Sequence, residues 1–176
     1  RIFSPNDYTD IEGETGQITD LFRIKNNIYI HTEDSLWHQP QNFQERVTGD
    51  IVSFLGTGSY FSVPPRKIVD SNEASAGNMH KWGSLKTKHG VYFASEKEGR
   101  IYLFDGNTLS PLTDTGIMNW SKENLPLKML SGYFDADDKT YPFDNNPSNK
   151  YGVGFISVYD RRKERIIFTK KDKIIS

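Results

Sequence analysis

The chain has 176 residues, 35% of them hydrophobic and 26% charged, with a formal net charge of −1. That balance suits one cored domain or two small ones, and it excludes a disordered chain and one drawn to nucleic acid or an anionic membrane by overall charge. Cysteine is absent, which excludes disulfide scaffolds, thiol nucleophiles and cysteine-ligated metals, and no apolar run approaches the roughly 20 residues of a membrane-spanning helix.

The chain opens RIFSPNDYTD, with neither an initiator Met nor the apolar core of a signal peptide, and reads as a piece of a longer chain. Beyond this opening, helical periodicity is weak, whereas Gly, Pro, Asn and Asp recur often; eleven Phe and nine Tyr favour strands. The first hairpin lies in ITDLFRIKNNIYIHTEDSLWHQ, where Ile28-Tyr29-Ile30 and Leu36-Trp37 flank a polar Thr32-Glu33-Asp34 turn. Gly56-Thr57-Gly58-Ser59 lacks both the lysine of a phosphate-binding loop and the spacing of a dinucleotide loop, so it reads as a turn leading to Val63-Pro64-Pro65. Residues 71 to 81 admit a helical turn capped by Ser71 or Asn72 and limited by Gly77.

The clearest hairpin is VYFASEKEGRIYLFDGN. Two apolar runs, Val91 to Ala94 and Ile101 to Phe104, flank a charged turn that ends in Gly99. Neither run alternates apolar with polar, so both faces of the strands are expected to be covered. Leu103 is expected inside, and Leu103→Asp to be costly by several kcal/mol, on the order of large core penalties. Glu96-Lys97-Glu98 reads as the solvated end of the packed sheet. Thr108 to Leu112 adds a third strand, and Trp120 to Pro126 a short helical piece.

The loop FDADDKTYPFDNNPSN, residues 134 to 149, places Asp135, Asp137 and Asp138 together, with Asp144 and Asn145 downstream. Calcium wants several such oxygens on a flexible segment, but the glycine and closing glutamate of an EF-hand loop are missing, so Asp and Asn capping a solvated turn is the competing reading. The last hairpin pairs Phe155 to Val158 with Ile166 to Phe168 across Asp160-Arg161-Arg162-Lys163-Glu164. Its basic tip, Arg161, Arg162, Lys163 and Arg165, is a candidate protein interface or simply a charged edge that discourages strand addition. Nucleic acid is not expected, because aromatics are not interleaved there as stacking platforms.

The histidines His31, His38, His80 and His89 form no metal-ligand pair by spacing, and no nucleophile elbow occurs. Carboxylates for glycoside hydrolysis could be drawn from many Asp and Glu residues, but no pair is selected. No catalytic residue and no cofactor is therefore assigned. The three hairpins recur at near-constant intervals, Ile28 to Val91 and Gly90 to Gly154. The fold expected is mainly β: antiparallel meanders in one domain over 1–176, repeating near 20–38, 89–112 and 152–173, as a partial propeller-like arc or a compact sheet stack with long irregular loops.

TYPFDNNPSNKYGVGFISVYDRRKERIIFTKKDK resembles a segment of large structural tail proteins of crAss-like gut phages and related tailed phages. The matching pieces are Tyr141-Pro142-Phe143-Asp144-Asn145, Gly152 to Asp160, and Arg165 to Asp172. The preceding GSLKTKHGVYFASEKEGRIYLFDGNTL is similar to propeller-like repeats of the same proteins, so the likeness spans about Gly77 to Asp172. It implies a non-enzymatic muzzle- or nozzle-type virion component of the phage tail, with other virion subunits as partners, homo-oligomerisation in the intact assembly and no membrane span. Two other readings remain open. One is a carbohydrate- or receptor-binding module using the Asp-rich loop and loop aromatics such as Trp37, Tyr60, Trp82, Trp120, Tyr133 and Tyr141; the other is a glycan-degrading tail enzyme.

Overall fold

The computed structural model describes residues 8–11, 15–40, 43–48, 51–56, 63–69, 75–126, 146–149 and 152–172, with backbone pairing alone over 43–48 and 51–56. The protein is mainly β, built of antiparallel meanders. Strands β1 (Ile18–Ile24), β2 (Asn27–Thr32) and β3 (Leu36–Gln39) follow one another, and β6 (Arg66–Lys67) closes a four-stranded sheet in the order β1-β2-β3-β6. Between β3 and β6, β4 (Phe43–Thr48) and β5 (Ile51–Gly56) pair as a separate hairpin. The second sheet is a pure meander of β7 (Leu85–Thr87), β8 (Gly90–Ser95), β9 (Arg100–Phe104) and β10 (Leu109–Pro111). After the seven-residue helix α1 (Met118–Asn124), about two turns long, β11 (Gly154–Asp160) and β12 (Arg165–Lys171) form the last hairpin.

The three hairpins read from the sequence are therefore strand pairs β2–β3, β8–β9 and β11–β12. The helix forms where Trp120 to Pro126 suggested one, beginning two residues earlier. A 3-10 turn forms at Lys81–Gly83; Ser71 and Asn72, the caps expected for a helical turn within 71–81, lie outside the described residues, as do Asp135, Asp137 and Asp138 of the acidic loop.

Why β8 and β9 do not alternate is answered by what stacks on them. Val91 and Phe93 of β8, with Tyr102 and Phe104 of β9, point to the first sheet and meet Phe22, Tyr29, Leu36 and Ala76. The intervening residues Ala94 and Ile101 point the other way, onto Leu125 and onto Phe155 and Phe168 of the last hairpin. A strand with neighbours on both faces needs apolar residues at successive positions, since each face is half of its own core. Fully burying each Phe contributes about 1.5–3 kcal/mol, so Phe93, Phe104 and Phe155, each within 1% of complete burial, dominate these two seams. Aromatic packing adds direction to the first seam: Tyr29 meets Phe104 edge-on at 4.9 Å, and His31 lies between Phe22 and Phe93.

Leu103 departs from expectation. It is half-buried, on the face of β9 turned toward the last hairpin, whereas its neighbours Tyr102 and Phe104 are the buried pair. The second seam is simply less complete than the first at that point. Among the described residues, three units stack in succession without closing into a barrel.

Candidate functional site

Two places concentrate polar chemistry: the ends of the hairpins, and a groove between the second sheet and the last hairpin.

At the first, the structure overturns the expectation of a solvated charged turn. Glu96 is only 6% exposed, and its Oε2 lies 2.5 Å from Nε2 of the fully buried His80. Glu98 Oε1 accepts hydrogen bonds from the backbone N–H groups of Ala76 (2.7 Å) and Ser75 (2.9 Å), and from the hydroxyls of Ser75 and Ser95 at 3.3 Å. Its other oxygen accepts from the Tyr102 hydroxyl, and Arg100 Nη1 stands 3.8 Å away. Burial, followed by the hydrogen bond to Glu98, pushes the Tyr102 phenol above its ordinary range. A buried carboxylate is tolerable only with such a set of donors. Lys97 alone is exposed, and it pairs with Asp34 at the β2–β3 turn.

The segment 75–80 thus runs across the ends of all three hairpins. Ala76 bridges to Ser35 at the β2–β3 turn, the Asn78 N–H donates to Thr32, Glu98 and Glu96 bind from the β8–β9 turn, and Gly154 of β11 abuts His80. Helix α1 is drawn into the same end: at Gly99, with φ of +63°, a Cβ would come within 2.8 Å of Lys122 Cα, so only glycine fits. Close by, His31 and Asn78 are fully buried and none of their side-chain polar atoms has a hydrogen-bond partner among the described residues. Burial, and then the charge of Lys86, lowers the His31 pKa to about 3, so the ring is neutral at physiological pH.

The groove arises because the last hairpin is seated on the second sheet at one end only. Phe155, near the start of β11, is 1% exposed; Tyr159, four residues on along the same face, is 39% exposed. The gap has a volume of about 700 Å³ and is lined by the end of strand β7 and the turn after it, Lys86 to His89, by Tyr92, and by Tyr159, Arg161, Glu164 and Ile166 of the hairpin. Tyr159 and Ile166 are cross-strand partners.

Of the basic tip predicted as an interface, all four residues are exposed, but only Arg161 lines this groove. Arg165 Nε lies 3.0 Å from Asp160 Oδ2, while Asp160 Oδ1 accepts from the backbone N–H groups of Arg162 and Lys163, so one carboxylate shapes the turn. Lys170 and Lys171 are structural: the first donates to the carbonyls of Asn124 and Pro126, the second to those of Pro147 and Asn149. Among the loop aromatics, Trp37 is buried, whereas Trp82 and Trp120 are exposed. Lys88, His89 and Tyr92 were not singled out as a site, because the two walls of the groove are far apart in the chain. Among the described residues no cluster of three metal-ligating side chains occurs, and no helix is long and apolar enough to cross a membrane. Neither a protein-family model nor a curated protein sequence matches this chain.

Proposed function

We propose that this chain is a non-enzymatic structural domain of a bacteriophage tail, a rigid β scaffold that contacts neighbouring virion subunits, further copies of itself included. The observation that carries the reading is the inward-turned Glu96-Lys97-Glu98 segment. Both of its carboxylates are engaged by groups from other elements, Glu98 by five donors and Glu96 by His80, and the result is mechanical: the hairpin ends are tied together. Two further features support it. The residues that carry the likeness to phage tail proteins, Gly77 to Asp172, include this segment and the whole second seam. Large apolar side chains also stand exposed where a neighbour would sit, Ile18 and Leu21 on β1, Val158 on β11 and Trp120 on α1.

The test is direct. Antibodies against this chain should label the tails of purified tailed-phage particles in electron micrographs, and its peptides should co-purify with them in mass spectrometry. Recovery only in soluble, particle-free fractions would overturn the assignment.

A further inference from the structure

We propose that the groove between the β7–β8 turn and the β11–β12 tip is a binding site for an acidic saccharide, a sugar unit bearing a carboxylate. The inference is independent of a virion role and rests on the groove's own chemistry. Its volume of about 700 Å³ falls in the range that encloses a small ligand, roughly 300–1,000 Å³. Three lysine and arginine side chains line it against one carboxylate, Glu164. Lys86 is committed elsewhere: its ammonium donates to the Leu21 carbonyl and lies 3.6 Å from Asp20, on the side of the first sheet. Lys88 and Arg161 have no side-chain partner among the described residues, and they approach from opposite walls. Two cations so placed can close on one carboxylate, Arg161 through a bidentate fork.

The rest of the lining selects what carries that carboxylate. Tyr92 and Tyr159 bring aromatic rings with polar tips to the lining, and Ile166 an apolar side chain, a mixture that suits the mixed apolar and hydroxylated faces of a sugar ring. Glu164 repels a ligand that is anionic throughout, but it accepts hydrogen bonds from hydroxyls. A phosphate backbone has no such donors, and one lysine and one arginine do not form the continuous basic track that a strand of nucleic acid requires. An acidic peptide is likewise disfavoured, since its successive carboxylates meet Glu164 and its acidic side chains carry no hydroxyl to donate to that residue.

The test uses the full chain in titration calorimetry with oligosaccharides containing galacturonate, glucuronate or sialate. A neutral oligosaccharide of equal length, a dT oligonucleotide and an oligoglutamate peptide serve as comparisons. At least one acidic sugar should bind while the neutral one does not. Lys88→Ala and Arg161→Ala should each weaken binding about tenfold, the scale of one charge-assisted contact. Arg162→Ala, at the same tip but outside the groove, should leave it unchanged, and circular dichroism should show all three variants folded. Failure of every acidic sugar at millimolar concentration overturns the proposal. So does equal binding of the oligonucleotide or the peptide, which would mark a non-specific polyanion surface, and so does an Arg162→Ala loss as large as that of Arg161→Ala.

Discussion

The backbone of Gly154 lies against the imidazole of His80, so closely that no Cβ fits between them. Gly154 also holds a φ of +123°, a region that side-chain-bearing residues rarely adopt. The two constraints coincide at the point where the last hairpin meets the buried His80–Glu96 pair. Gly154→Ala should therefore destabilise the fold by about 2–4 kcal/mol, the combined scale of backbone strain and overpacking. Urea unfolding measures it, and a loss below about 0.5 kcal/mol would mean that the contact is not maintained in solution.

Glu98 and Lys97 are adjacent yet differ in what they hold. Removing Glu98 leaves the N–H groups of Ser75 and Ala76 and the Tyr102 hydroxyl without their acceptor. Glu98→Ala should cost about 2–4 kcal/mol, while Lys97→Ala, which loses an exposed ion pair, should stay within about 0.5 kcal/mol of the parent. Equal losses from the two variants in urea melts would show that the turn does not fasten the segment 75–76.

His31 gives the fold an acid-sensitive term. Its folded pKa, about 3, lies below the ordinary value near 6.5, so the unfolded chain takes up the proton first. The neutral ring's contribution is complete above about pH 6.5 and is lost as the pH falls toward 3. At roughly 1.4 kcal/mol per unit, about 2–3 kcal/mol should disappear between pH 6.5 and 4.5. His31→Phe keeps the aromatic bulk between Phe22 and Phe93 and removes the titration. Urea midpoints at pH 7 and 4.5 should fall less for the variant than for the parent; parallel declines would exclude His31 as a source.

The two seams should also respond differently to truncation. Phe93→Ala empties a fully buried position facing the first sheet and should cost about 3–5 kcal/mol. Leu103→Asp, at a half-buried position, should cost about 1 kcal/mol, because the carboxylate can reach water. Urea unfolding of both variants checks the order; a larger loss at Leu103 would place that residue inside a tight core.

The hairpins were legible because their signals are local. Apolar runs such as Val91 to Ala94 and the turn glycine at Gly99 state strand, turn and two-sided burial within a few residues. The role of Glu96 and Glu98 was not legible, because their partners His80, Ser75 and Ala76 belong to an irregular upstream segment with no periodicity to announce it. A run of charges reads as solvated unless the donors are known, and two of those donors are backbone N–H groups that every residue but proline carries. The groove was half legible: Arg161 belonged to a visible basic cluster, whereas Lys88 and Tyr92 acquire meaning only when a distant hairpin is laid across them. Leu103 shows the converse limit, since pattern gives the face a side chain points to but not how completely that face is covered.

The bonds from Glu98 to Ser75 and Ala76 have a consequence for how the protein comes apart. They close a loop that contains β7, β8 and the 3-10 turn, and they anchor it to the strand-end segment bridged to Ser35 of the first sheet. Stacked repeat units joined only by apolar faces can unzip one at a time, each interface failing in turn. Here the first two units are also tied by these hydrogen bonds, so they should unfold together as one block, and a force applied along the chain should meet one barrier for both.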